Sequence, residues 1–299
     1  MRALIRYVLD RTPYVGNLRK QLRDLGSYPA GHFYSPIPAR VDVAAYVKGL
    51  DHQPNGLAGI DLRCDEQRQL LREFEPFYAE LPFPAEAKPD SRYHFDQSVF
   101  CQADAIFLYS FLRLRQPKRI IEVGSGFSSA VMLDTVDRFF ARRPEITLIE
   151  PFPITLKRIL RPGDYSKITL IEDKVQHVPM ERFTSLQAGD LLFIDSSHVV
   201  KCGSDVQFLM FEVLPRLSVG VVVHFHDVFG TFEYPREWLL KGCYWNESYA
   251  LRAFLSYNAA WEICLFGNYA VRTFGDFFKT KMPLCLENPG GSLYIRRVA

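Results

Sequence analysis

The stretch from Arg119 to Ser129, Arg-Ile-Ile-Glu-Val-Gly-Ser-Gly-Phe-Ser-Ser, constrains the fold of this chain more than any other. Ile120, Ile121 and Val123 form a short β-branched run of the kind found in a strand buried on both faces. Gly124 and Gly126 interrupt it, and a helical pattern begins at Phe127. Glycine accepts positive φ and close backbone approach, so a strand can turn sharply here and feed a helix. The amino end of that helix offers unpaired N–H groups and a positive dipole end to whatever lies beyond the strand.

From Lys118 onward strand-like and helix-like segments alternate, the pattern of a mostly parallel sheet with crossover helices. Strands are expected at 119–123, 146–150, 168–171, 190–195, 219–226, 261–266 and 292–297. Helices are expected near 127–141, 153–161, 202–216 and 247–257. Right-handed crossovers wind such a sheet both ways from its first strand, which places a ligand crevice at the carboxyl ends of the strands beside strand one. The fold class is therefore α/β, doubly wound and Rossmann-like. Residues 1–92 read as an N-terminal helical accessory segment and 93–299 as the α/β domain. In the former, Thr12-Pro13 starts a helix over Tyr14–Leu25, and prolines 36 and 38 exclude one in the stretch 26–40. A second helix is expected over 65–80, a Pro-rich linker over 81–90, and a helix over 97–115.

Composition excludes several classes of function. A net charge of +2 with no Lys/Arg run marks no nucleic-acid face. The apolar stretches fall far short of the ~20 residues a membrane helix needs. Arg2, Arg6, Asp10 and Arg11 interrupt any signal-peptide core, so a cytoplasmic protein is expected. Six scattered cysteines, without a C-x-x-C pair, read as reduced thiols. The N-terminal helices offer a surface for a homo-oligomer, and the expected partner is a small molecule.

Polar residues collect where this topology puts a site. Glu122, two residues before the first glycine, would repel a pyrophosphate but hold a cationic or hydroxyl-rich cofactor, which points to S-adenosylmethionine. Gly124, Ser125 and Gly126 form the turn beside it. Glu150-Pro151 closes the second strand, where a carboxylate can accept hydrogen bonds from ribose hydroxyls; Asp173, past the third, is placed to meet an adenine amino group. Asp195 ends the fourth strand and His226-Asp227 the fifth. Adjacent strands run ~4.8 Å apart, so Asp195, His226 and Asp227 can converge on a divalent metal. His198 is a candidate general base, since neutral imidazole accepts a hydroxyl proton near physiological pH. His224 reads as structural, and Asp205 as an orienting acid. The aromatic insertion Phe229–Tyr249 reads equally as a lid, an acceptor wall, a packing cap or a dimer contact, and Tyr93-His94-Phe95 as a segment that closes over the cofactor.

With these residues in view, the chain resembles the class I S-adenosylmethionine-dependent methyltransferases, and within them the branch of cephalosporin hydroxylase-like proteins and macrolide-sugar O-methyltransferases. The likeness rests on I-I-E-V-G-S-G-F-S-S, L-I-E-P, F-I-D-S-S-H and V-V-H-F-H-D-V, and covers about residues 93–299. It implies a seven-stranded sheet whose last strand is antiparallel. Glu122, Gly124 and Gly126 would flank the cofactor's methionine part and Glu150 its ribose. Acids matching Asp195 and the 226–227 pair would hold Mg2+, with a histidine matching His198 as base. Here His226 replaces the usual acid, and imidazole turns preference toward Mn2+, Fe2+ or Zn2+. The expected reaction is metal-assisted O-methylation of a small hydroxylated acceptor, a sugar or natural product. Two alternatives remain open: a non-catalytic cofactor- or partner-binding protein, and an NAD(P)-dependent oxidoreductase, against which Ser129 stands where the dinucleotide fingerprint has Gly or Ala.

Overall fold

The apolar run before the glycines is a strand, β1 (Arg119–Val123), in the computed structural model of the chain, which describes residues 2–24, 26–52 and 57–299. It lies inside a seven-stranded sheet with β2 (Glu145–Ile149), β3 (Thr169–Ile171), β4 (Leu191–Ile194), β5 (Val222–Phe225), β6 (Trp261–Phe266) and β7 (Leu293–Arg297). The order is β3-β2-β1-β4-β5-β7-β6, parallel except for β7, which runs antiparallel between β5 and β6. The chain leaves β1 toward β2 on one side and returns to β4 on the other, so the switch point falls where expected. β5 begins at Val222 rather than 219 because Gly220, at φ +88°, is still turning.

Both faces of this sheet are covered, which is why its strands read as unbroken apolar runs. Ile120 faces a core shared with α4 (Cys64–Tyr78), α5 (Gln102–Arg115) and α6 (Phe127–Phe139). Ile121 and Val123 face the opposite core, with Val206, Leu209 and Leu251. The helices Gly267–Thr273 and Gly275–Lys281, between β6 and β7, were not legible in the sequence. Each begins on glycine, which reads as a breaker.

Two compact units divide the chain. The sheet belongs to the larger, Gly56–Tyr234 with Trp245–Ala299. α4 lies in this larger unit because Leu70, Leu71 and Phe74 bury in the same core as α5. Gln67 adds a polar tie, accepting from the Phe266 N–H at 2.8 Å. The smaller unit, Met1–Asn55 with Pro235–Tyr244, holds α1 (Arg2–Arg11), α2 (Pro13–Asp24), α3 (Arg40–Tyr46) and the helix Arg236–Lys241, which packs against α3. Pro13 opens α2 as expected; the expected helix end at Leu25 lies outside the described residues. Residues 26–39 are irregular, as the two prolines require.

The Pro-rich 81–90 stretch has no helix or strand, but the residues after it are pinned. Arg92 is buried, with Nη1 2.7 Å from Asp134 Oδ1, Nε 2.8 Å from Asp164 Oδ2 and Nη2 2.8 Å from Asp137 Oδ2. Asp134 also accepts the Arg92 and Tyr93 N–H groups. One guanidinium thereby ties the segment entering α5 to α6 and to the turn before β3. All six cysteines are free thiols. Among the described residues no helix is long and apolar enough to cross a membrane.

Replacing Arg92 by Met leaves Asp134 and Asp164 buried without their cation, and should cost about 3–5 kcal/mol, read as a lower urea midpoint at unchanged m-value. Burial alone would raise Asp137, but hydrogen bonds from Arg143, Arg92 and Lys167 outweigh it and lower this carboxyl to about 2. Its contribution is full above the unfolded carboxylate range and is lost as pH falls through that value. The wild type should therefore lose stability steeply in acid, and Arg92→Met less steeply.

Candidate active site

The glycine turn is set by how close two strand ends come. Gly124 has φ +81° and donates to the Ile149 carbonyl at 3.0 Å. A Cβ there would lie 1.6 Å from the carbonyl oxygen of Asp195, whose N–H in turn reaches the Val123 carbonyl at 2.8 Å. Gly126 differs: a Cβ would meet only Thr155 Cγ2, at 3.9 Å, so the protein itself does not demand glycine. Glu122 lies behind the turn, fully buried, with its two oxygens accepting from Ser128 Oγ and Ser129 Oγ, each at 2.5 Å. Burial pushes this carboxyl up to about 8 despite the lowering by those hydroxyls. The structure thus makes Glu122 a clamp on the first turn of α6.

The crevice opens at the carboxyl ends of β1, β2 and β4 as a cleft of ≈ 560 Å³ lined by Gly124, Glu150, Pro151, Gln176, Asp195 and Ser196 among others. Glu150 is half-buried and accepts from the Ser125 N–H at 3.2 Å and the Phe152 N–H at 2.7 Å. A carboxylate offers about four acceptor sites, so half of its capacity is left for hydroxyl donors. Ser196 Oγ is buried with no hydrogen-bond partner. Asp173 is exposed and turned into its own turn, bonded by the Lys174 N–H and His177, which lower its carboxyl. Its neighbours Lys174, Val175 and Gln176 line the cleft instead. Asp205 does orient a wall residue: it accepts from Ser197 N at 2.9 Å and Ser197 Oγ at 2.5 Å.

Next to the cleft, Asp195, His198 and Asp227 present ligand atoms all within 4.8 Å of one another. His198 Nε2 lies 3.5 Å from Asp195 Oδ1 and 3.4 Å from Asp227 Oδ2. His226 approaches the same acids, its Nδ1 3.5 Å from Asp195 and 3.7 Å from Asp227. His226 Nδ1 is buried and makes no hydrogen bond. Each ring is backed by a further carboxylate: Glu247 Oε2 is 2.9 Å from His198 Nδ1, and Asp104 Oδ2 is 3.4 Å from His226 Nε2. His198 and Asp227 both hold left-handed backbone, φ 59° and 57°, a strained state that clusters at functional sites. For His198 the strain is held by its carbonyl, which accepts the Asn246 and Glu247 N–H groups at 3.1 Å each.

The charges balance within the cluster. Burial alone would raise Asp195, but His226 and His198 outweigh it and hold this carboxyl below the usual range. For Asp227 burial wins over the same two rings, and its carboxyl is raised. Burial pulls both imidazoles down, yet Glu247 with the two acids holds His198 above its ordinary value, and Asp195 and Asp227 with Asp104 hold His226 well above. The donor set around the two acids, carboxylates and imidazole, fits a divalent metal.

Asp104 and Glu247 escaped sequence reasoning. Asp104 left one signal, an acid inside the apolar helical run Ala-Asp-Ala-Ile-Phe-Leu; Glu247, in the first turn of the helix Glu247–Leu255, resembles an ordinary helix-start acid. The aromatic insertion is not one wall. Phe232 and Tyr234 are core residues, while the Trp245 ring lies 4.8 Å from that of His198. His224 is structural as expected, stacked on Phe193 at 4.0 Å. Tyr93 is fully buried, with its hydroxyl on the Phe100 carbonyl, and His94 packs edge-on to Phe127 at the start of α6.

Residues 121–228 match the family model described as a methyltransferase domain. An uncharacterised protein of Archaeoglobus fulgidus is 33% identical over 172 residues, 55% of this chain and 76% of that protein. Among solved structures, the S-adenosylhomocysteine-bound methyltransferase PaMTH1 of Podospora anserina aligns at 17% identity over 88% of this chain and 98% of its own, with a TM-score of 0.44. The O-methyltransferase TomG of Streptomyces achromogenes, solved with S-adenosylmethionine, aligns at 16% identity over 86% and 96%, with a TM-score of 0.41. At that distance neither structure bears on substrate or mechanism.

The turn geometry separates its two glycines. Gly124→Ala should destabilise the protein by at least about 3 kcal/mol or abolish folding, because backbone cannot yield. Gly126→Ala should melt within a few degrees of the wild type. Equal losses in thermal denaturation would contradict this account of the turn.

Proposed function

The chain belongs to the class I S-adenosylmethionine-dependent methyltransferases, and we propose that it methylates a hydroxyl of a small acceptor, a sugar or natural product, with the help of a divalent cation. One observation carries the reading: Asp195 both lines the cleft and belongs to the acid–imidazole cluster, so a nucleoside in the one and a hydroxyl at the other would meet. We take 93–299 as the catalytic domain, with α4 as its buttress.

In this reading the cofactor lies in the cleft, with its ribose hydroxyls on the free acceptor sites of Glu150 and its methionine end over Gly124, Ser125 and Gly126. Pro151 bounds the nucleoside. Glu122 acts from behind, fixing the turn through Ser128 and Ser129, and the exposed Asp173 has at most the cleft mouth within reach. Asp195 and Asp227 would hold the cation, with His226 facing it; bound there, it supplies Lewis acidity to a neighbouring hydroxyl. His198 is the base. With its Nδ1 proton held by Glu247, Nε2 keeps a lone pair to accept the acceptor's hydroxyl proton. As the acceptor oxygen bonds the methyl carbon, the carbon–sulfur bond breaks and the neutral thioether leaves. Holding the two reactants at neighbouring strand ends supplies much of the acceleration, since methyl transfer needs oxygen, carbon and sulfur in line.

The roles separate by variant. With methyl-labelled S-adenosylmethionine and a panel of hydroxylated acceptors, His198→Ala should lower kcat by about 10²–10⁴-fold while affinity for S-adenosylhomocysteine is kept. Glu150→Ala should do the reverse, weakening nucleoside binding by about tenfold or more, as expected for lost charge-assisted hydrogen bonds. Full turnover by His198→Ala would remove the base assignment.

A further inference from the structure

We propose that Asp104 is a positioning residue that fixes His226 as a nitrogen ligand, and that this pair tunes the centre to a transition-metal cation in preference to Mg2+. The inference rests on the reading that Asp195 and Asp227 hold a cation.

An imidazole can ligate through only one nitrogen at a time, and which one is set by the bond the other makes. For His226 the inward nitrogen is Nδ1, facing Asp195 and Asp227, and the outward one is Nε2, facing Asp104. A carboxylate accepts but does not donate, so Asp104 keeps the proton on Nε2 and the lone pair on Nδ1. Nδ1 finds no hydrogen-bond partner, although it is buried. Nδ1 stands 3.5 and 3.7 Å from the two acids, and Nε2 3.4 Å from Asp104. Atoms that share an ion at about 2.0–2.2 Å stand roughly 3.0–3.6 Å apart, so the buried, unpaired Nδ1 is spaced from Asp195 as two ligands of one ion would be.

Asp104 is itself aimed. It sits on α5 among apolar neighbours, buried, and its Oδ1 accepts from the Gly291 N–H at 3.0 Å and from Ser292 Oγ. The turn that supplies these donors passes so close that a Cβ on Gly290 would lie 2.3 Å from the Asp104 carboxylate. With Oδ1 engaged, Oδ2 is left for His226. The Gly-Gly-Ser turn before β7, whose carbonyls also accept from Asn268, Val228 and Gly267, thereby becomes the outer support of the centre. Imidazole prefers Mn2+, Fe2+, Co2+ or Zn2+, whereas Mg2+ prefers an all-oxygen set, so a locked histidine at this position shifts preference to the former group.

The test is cation binding by the full chain after chelation, with Co2+ followed by its visible absorption and Mn2+ and Mg2+ by calorimetry. Wild type should bind Co2+ and Mn2+ at least tenfold more tightly than Mg2+. Asp104→Asn can still accept from Gly291 and Ser292, but turns an amide donor toward Nε2 and so moves the ring proton to Nδ1. It should weaken Co2+ binding by about 10–100-fold and alter the Co2+ spectrum, while S-adenosylhomocysteine affinity stays within twofold. Should Asp104→Asn not fold, Ser292→Ala, which removes one of the bonds that aim the carboxylate, should show the same shift to a smaller degree. A folded variant with unchanged Co2+ affinity and spectrum overturns the role of Asp104 alone. Wild type that binds no cation, or Asp195→Asn that binds as well as wild type, overturns the metal reading and this inference with it.

Discussion

Two carboxylates on neighbouring parallel strands cannot both stay ionised in a low-dielectric site without compensation, and the candidate site is organised around that constraint. Asp195 follows the last residue of β4, and Asp227 comes two residues after the last residue of β5, held there by the β4–β5 register and the His226 N–H on the Ile194 carbonyl. Their compensation comes from His198, on the loop after β4, and His226, just past the end of β5. Each ring is in turn held by a buried acid brought from elsewhere, Glu247 from the helix after the insertion and Asp104 from α5. The result is an alternating array of acid and imidazole whose members come from distant parts of the sequence. A cation between the central acids would compensate both at once.

The rest of the larger unit fixes this array in place. Gly124 lets the β1 turn press against the Asp195 backbone, so the cleft and the acid cluster share a wall. Glu122 stiffens the turn from behind, and Arg92 anchors the segment that leads into α5, the helix that carries Asp104. Positions far from the chemistry thus set its geometry, which is where a displacement of an ångström would cost most.

Much of the fold could be read from the chain because a buried parallel sheet writes itself as apolar runs broken by turns. All seven strands fall close to their expected places. What escaped included the short helices Arg40–Tyr46, Met180–Thr184 and Arg236–Lys241, the helices between β6 and β7, each begun by a glycine, and the membership of α4 in the larger core, since an amphipathic helix does not say which surface it will cover. The site was legible to the extent that its residues end strands: Asp195, Asp227, His226, Glu150 and Gly124 all sit at strand ends. The hold of Glu122 on Ser128 and Ser129 was not legible, because an acid next to a glycine turn looks the same whether it faces the crevice or the helix behind. The bonds of Asp173 within its own turn were hidden for a similar reason. Glu247 and Asp104 were invisible because their partners are brought near only by tertiary folding.

The central claim is that the nucleoside cleft and the acid–imidazole cluster are one site joined at Asp195. A crystal structure with S-adenosylhomocysteine and Mn2+ tests it most directly. The account predicts ribose hydroxyls on Glu150 and an anomalous peak between Asp195 and Asp227, on the same side of the sheet. Nucleoside density away from Glu150, or no metal peak between those two acids at saturating Mn2+, would contradict it.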